Sequence, residues 1–96
     1  MYKKTEYALI GFRKSTQAKK KYDAIIRNKM TGEEKVIAFG SGDPLMGQYK
    51  DSTGLGIYSY LDHNDEKRRQ SFRKRFRSLY DPSYYTPISL SMEYLW

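Results

Sequence analysis

The sequence has no cysteine and a single histidine among its 96 residues, and these absences exclude much enzyme chemistry. Without cysteine there is no disulfide, no thiolate metal site and no cysteine nucleophile. His63 is the only histidine, so a common zinc site with several histidine or cysteine ligands cannot form around it. Beside Asp62, Asp65 and Glu66, it is more typical of a cap or a hydrogen-bond partner than of a general base. We therefore expect a non-enzymatic protein with no cofactor, no metal and no small-molecule substrate.

Long apolar runs are also missing from the sequence. No stretch approaches the roughly 20 apolar residues that a transmembrane helix needs. The apolar centre of the first fourteen residues, MYKKTEYALIGFRK, is too short and too interrupted for the core of a signal peptide. The lack of cysteine is typical of an intracellular protein. We expect a soluble protein that is made in the cytosol and has no transmembrane segment.

Positive charge and tyrosine are what the chain has in excess. Its 18 lysine and arginine residues exceed its 11 acids and give a net charge of +7, and 10 residues are tyrosine. A strong positive charge favours polyanionic partners such as nucleic acid, an anionic membrane face or an acidic protein surface, although it also serves solubility alone. Tyrosine, with an apolar ring and a polar tip, suits half-buried shells and interfaces. The length fits one domain with a modest core, so we expect a partner surface as well.

Three short segments predict an antiparallel sheet. Residues 6–12 (EYALIGF) are rich in β-formers, and residues 22–27 (YDAIIR) alternate between apolar and polar side chains. Residues 35–40 (KVIAFG) form a third such segment, and the polar, glycine-containing connector before it is typical of a β-hairpin. Residues 13–21 (RKSTQAKKK) hold no large apolar side chain, so we expect a solvated basic loop there.

A basic helix is predicted over about 64–79. Asp62 or Asn64 can cap its start, its first turn is acidic and its last turns are basic, as the helix dipole favours. It ends before Pro82, because the residue preceding a proline disfavours the α conformation. Its apolar stripe, predicted to face the core, consists of residues spaced i, i+4 and i+7, namely Phe72, Phe76 and Leu79.

A second, short helix is predicted from Thr86 and Pro87, which have the N-cap and N1 pattern, through about Tyr94. The expected fold is therefore α+β, with a small antiparallel sheet of about three strands, the basic amphipathic helix packed on it and a short C-terminal helix. The single domain, 1–96, is expected to comprise a β-rich part at 1–40, a long glycine-containing loop at 41–60 and a helical part at 61–96.

The cations of the basic helix divide by face. With the apolar stripe turned inward, three of them are expected on the outer side of the helix and two at the edges of the stripe. The alternative is a solvated helix face, but the excess of cations is larger than solubility requires, and like charges at i, i+4 cost stability. The predicted contacts for a polyanion or acidic partner are the outer Arg68, Lys74 and Arg75, the edge residues Arg69 and Arg73, and the loop residues Lys19, Lys20 and Lys21.

The order of short motifs over residues 20–96 is similar to that of a viral protein family. The motifs are a hairpin that ends in Phe39-Gly40, then Tyr49-x-Asp51, then His63-x-Asp65 followed by Arg68, Arg69, Arg73 and Arg75, and finally Tyr94-Leu95-Trp96. This order resembles an uncharacterised family of short basic proteins encoded by large DNA viruses of algae and protists, the phycodnavirus and mimivirus-like groups. Ala38 and Phe76 stand where members often carry histidine, which argues against a shared histidine-based active site.

The resemblance implies a virion protein, and two functions are open. The first is a minor capsid or cement protein of the virus particle, made in the host cytoplasm. It would contact other virion proteins through the long loop and through interface aromatics at Tyr84, Tyr85 and Trp96. The second is a nucleic-acid-binding protein that contacts phosphates through the basic helix and the 13–21 loop.

Overall fold

The computed structural model describes residues 2–40 and 47–96, and its strands form one three-stranded and one two-stranded antiparallel sheet. Together with two helices, these sheets confirm the α+β class. Residues 41–46, the first part of the predicted long loop, lie outside the described residues. The strands are β1 (Tyr2–Lys3), β2 (Tyr7–Lys14), β3 (Tyr22–Asn28), β4 (Glu34–Phe39) and β5 (Tyr84–Tyr85), and the helices are α1 (Glu66–Phe76) and α2 (Pro87–Tyr94).

The larger sheet has the order β2-β3-β4, and its central strand supplies much of the core. Tyr22, Ala24 and Ile26 on β3 are fully buried, as the alternating pattern of the segment predicts. The connector to β4 is a tight turn in which the Asn28 side chain accepts hydrogen bonds from two following backbone N–H groups. Gly32 has a φ of +74°, a conformation that costs glycine least. The predicted hairpin is therefore present.

The helix that covers the sheet is α2, and the expectation that the basic helix packs on it is wrong. α2 packs against β4, and Leu90 and Leu95 join Phe39 in the buried core. α1 has no buried residue. Leu79, predicted to complete its apolar stripe, is 62% exposed. The α-helical turns end at Phe76 and the chain continues as a 3-10 turn, which has fewer residues per turn and so rotates Leu79 away from the stripe.

Side-chain caps fix where both helices begin. Asp65 is the N-cap of α1, and its carboxylate accepts hydrogen bonds from the N–H groups of Lys67 and Arg68. The cap is therefore neither Asp62 nor Asn64, the residues that the sequence suggested. Thr86 caps α2 as predicted, by accepting a hydrogen bond from the Ser89 N–H at 3.1 Å.

Gln48 holds the segment between the sheet and α1 in place through hydrogen bonds of its buried side chain. Its side chain is fully buried, accepts a hydrogen bond from Lys21 Nζ at 2.6 Å, and donates to the Tyr58 carbonyl and to Asp62 Oδ1. A parallel bridge also pairs Gln48 with Asp62. This polar cluster ties the segment before α1 to the residue before β3, because Gln48 and Lys21 are buried and bonded to one another and Gln48 is also bonded to the half-buried Asp62.

Ionisation of the Tyr22 hydroxyl is expected to make the stability of the protein depend on pH in the alkaline range. Its hydroxyl donates to the Asp51 carboxylate and accepts from the Tyr58 N–H, and burial, followed by the bond to Asp51, raises its pKa to about 12 from an ordinary value of 10.0. Since the folded pKa is the higher one, this contribution to stability is complete below pH 10 and lost as the pH rises through about 12.

We therefore expect the urea midpoint of the wild-type protein to fall more steeply in this alkaline range than that of Tyr22→Phe, which cannot ionise there. Tyr60→Phe is the matched control, since Tyr60 is 70% exposed and should follow the wild type. Parallel slopes for the wild type and Tyr22→Phe would contradict the assignment.

Candidate polyanion-binding cleft

A cleft of about 890 Å³ lies between α1 and the rest of the protein. Lys20 lines it from the loop before β3, and His63 lines it from the segment before α1. α2 contributes Ile88 and Ser91, and Trp96 follows α2. α1 rests on Trp96 and not on the sheet, and Gly40 and Gly47 also line the space beside it. The helix itself lines the cleft with Lys67, Arg68, Ser71, Phe72, Arg75 and Phe76.

The charge of the cleft is of one sign. Lys20, Lys67, Arg68 and Arg75 line it, and no acidic residue does so among the residues that the structure describes. The pKa of His63 is lowered, first by burial and then by the neighbouring Arg68. Cations concentrated in a recess raise the local potential for an anion, because the protein walls screen less than open water.

Arg68 and Arg75 are exposed, as predicted for the outer cations, but they lie on the Phe72 side of α1 and not opposite it. Residues four and three positions apart follow one another along one face of a helix that turns every 3.6 residues. The apolar stripe and these two arginines are therefore neighbours, and both face the cleft.

Arg69 and Arg73 make hydrogen bonds to another part of the same chain. Arg69 Nε donates to the Trp96 main-chain oxygen at 2.8 Å, and Arg73 donates to the same oxygen from Nε at 3.2 Å and from Nη2 at 3.0 Å. The Arg69 guanidinium also stacks over the Tyr49 ring, 4.7 Å from its centroid. Both arginines thus attach α1 to the end of the chain, on another side of the helix from the cleft.

The remaining predicted cations divide between the surface and the interior. Lys19 and Lys74 are exposed and do not line the cleft. Lys21 is only 1% exposed and donates to Gln48, so the prediction of a solvated contact residue is wrong for it. Lys21 is the last residue before β3. At this position its side chain is buried against the segment that Gln48 anchors.

The three predicted interface aromatics are half-buried in the fold of their own chain. Tyr84 and Tyr85 form β5, which pairs with β1, and Tyr85 packs against the core. The Trp96 ring stacks on Phe72, with centroids 4.3 Å apart and planes 5° apart. These three side chains, predicted as contacts with other proteins, therefore make contacts within their own chain.

Two cleft residues, Lys67 and Ser71, were missed by the sequence reasoning. Lys67 lies five residues and Ser71 one residue before Phe72, so that they stand about 140° and 100° from Phe72 around the helix, beyond Arg68 and Arg75 on the same side. No local pattern indicates these two residues, because only the tertiary packing places the cleft on this side of α1.

Comparison with known proteins gives no relative, since no family model, curated protein or solved structure matches the chain. The resemblance to the viral family therefore stays a prediction. Over the described residues, no group of three or more histidine, cysteine or acidic side chains could hold a metal ion. Within the same residues, neither helix combines the length and apolar character needed to cross a membrane.

Proposed function

We propose that the protein is a non-enzymatic binding protein that holds nucleic acid by its phosphates in the basic cleft. The observation that carries this proposal is the concentration of Lys20, Lys67, Arg68 and Arg75 around one recess without a described acidic lining residue. These cations come from two separate parts of the chain, the loop before β3 and α1. A solvated helix face would not require the loop lysine to converge on the same space.

Phosphate contacts of this kind make affinity depend on salt and little on sequence. With about four phosphates neutralised, the logarithm of the association constant should fall with the logarithm of salt concentration with a slope of about −3 to −4. Between about 50 and 200 mM salt, this slope corresponds to a roughly 100-fold loss of affinity.

The test is the double variant Arg68→Gln/Arg75→Gln, measured by fluorescence anisotropy with a labelled oligonucleotide. Removing two phosphate contacts should reduce the salt slope by about 2 and weaken binding for every sequence alike. The matched control is Lys74→Gln/Arg77→Gln, which removes the same charge from exposed residues that do not line the cleft. Equal losses in both variants would reduce the effect to net charge and contradict a cleft site.

A second candidate, a minor capsid or cement protein of a large DNA virus particle, is favoured by a different surface. Leu55, Ile57 and Tyr60 are exposed by 40%, 40% and 70%, and they are close in sequence within the segment before α1. Exposed apolar side chains grouped in this way are typical of a protein contact. Proteomics of purified virions, separated into shell and nucleoprotein core, distinguishes the candidates: recovery in the shell favours the cement protein, and recovery in the core favours nucleic-acid binding.

A further inference from the structure

We propose that the cleft takes a single nucleic-acid strand in preference to a duplex, an inference that rests on the nucleic-acid function proposed above. The first argument is the direction in which the cations point. Arg68 and Arg75 lie on the face of α1 that carries Phe72, and the Phe72 ring stacks on Trp96. Both arginines are exposed on this side of the helix, where they border the same recess as Lys20.

A duplex does not contact all of these cations at once. An α-helix reads duplex DNA by entering the major groove, which requires its contact residues to project away from the protein. A major groove that wraps around α1 would leave Lys20, which lines the recess from the loop before β3, without a phosphate contact. Only a chain thin enough to pass between α1 and the body can reach both of these arginines and Lys20.

The apolar part of the lining supports the same conclusion. Phe72, Phe76 and Trp96 line the cleft next to the cations. Aromatic rings beside a basic track suit unpaired bases, whose faces are open to stacking, whereas the bases of a duplex are already stacked on one another. Lys67 and Arg75 are separated by about 12 Å along the helix axis, which is enough for a short row of phosphates.

The experiment compares labelled oligothymidine of about 12 nucleotides with a duplex of the same length by anisotropy, using the full-length wild-type protein at fixed salt. Charge alone favours the duplex, which carries twice as many phosphates. We expect the opposite order, with the single strand bound at least tenfold more tightly. A duplex bound as tightly or more tightly would overturn the inference and leave the proposed function standing. Absence of binding to either probe would overturn both.

A single variant distinguishes the contribution of ring stacking to binding from the contribution of charge. Phe76→Leu keeps an apolar side chain but removes the flat ring, and it should weaken single-strand binding about fivefold or more while duplex binding is unchanged. Leu79→Ala is the control, because Leu79 is exposed just beyond α1 and does not line the cleft. Circular dichroism verifies that both variants are folded. An equal loss for both probes in Phe76→Leu would overturn the stacking argument for a single strand.

Discussion

Replacing Gln48 by alanine is expected to lower the free energy of unfolding by about 3 to 5 kcal/mol, the cost of breaking a buried charged hydrogen-bond network. The Gln48 side chain is fully buried and bonds to Lys21, Asp62 and the Tyr58 carbonyl. Alanine supplies none of these bonds, so groups that were desolvated in the folded protein lose a partner and a cavity opens beside them.

Urea unfolding followed by circular dichroism measures this effect. Gln70→Ala is the matched control, since Gln70 has the same side chain but is exposed on α1 and should change stability by less than about 0.5 kcal/mol. A loss below about 1 kcal/mol for Gln48→Ala would show that the cluster does not hold the segment in place. Because His63 follows this segment and lines the cleft, the variant should also weaken nucleic-acid binding.

Replacing Trp96 by alanine is expected to cost about 3 kcal/mol and to release α1 from the body of the protein. The Trp96 ring stacks on Phe72, and its contact with the core is lost with the side chain. α1 has 11 residues and none of them is buried. A helix of this length is marginal on its own, because nucleation is costly and most helical stability comes from tertiary packing.

Amide hydrogen exchange is the direct measurement, with protection expected to fall throughout α1 while β3 stays protected. Phe72→Ala tests the same stack from the other side. Trp96 is the only tryptophan, so its fluorescence should shift to longer wavelength in Phe72→Ala and stay unchanged in the exposed control Leu79→Ala. Full protection of α1 in Trp96→Ala would contradict the assigned role of the stack.

The parts of the fold that sequence predicts well are those set by neighbouring residues. The alternation of Tyr22, Ala24 and Ile26 places one face of β3 in the core, and Thr86 with Pro87 starts α2. Such patterns operate over a few positions and depend on backbone geometry alone. The two-residue strands β1 and β5 escaped prediction, because so short a segment has no periodicity and pairs only with a distant part of the chain.

The candidate site depends partly on contacts between distant residues, which local sequence patterns do not predict. The sequence determined that the helix is basic, that Phe72 and Phe76 share one of its faces, and that the chain has no cysteine thiol. Which cations remain available was decided by contacts across long separations: Arg69 is bonded to Trp96, 27 positions away, and Lys21 to Gln48, also 27 positions away.

The tertiary structure likewise decided that α2, and not α1, covers the sheet. Burial of apolar surface stabilises the fold, so the helix with the more apolar surface packs on the sheet. This helix is α2, which buries Leu90 and Met92. α1 packs against Trp96 instead, and its basic face and Phe72 border a cleft. Periodicity could identify the face, but only the packing of distant segments determines whether that face meets a sheet or a space for a partner.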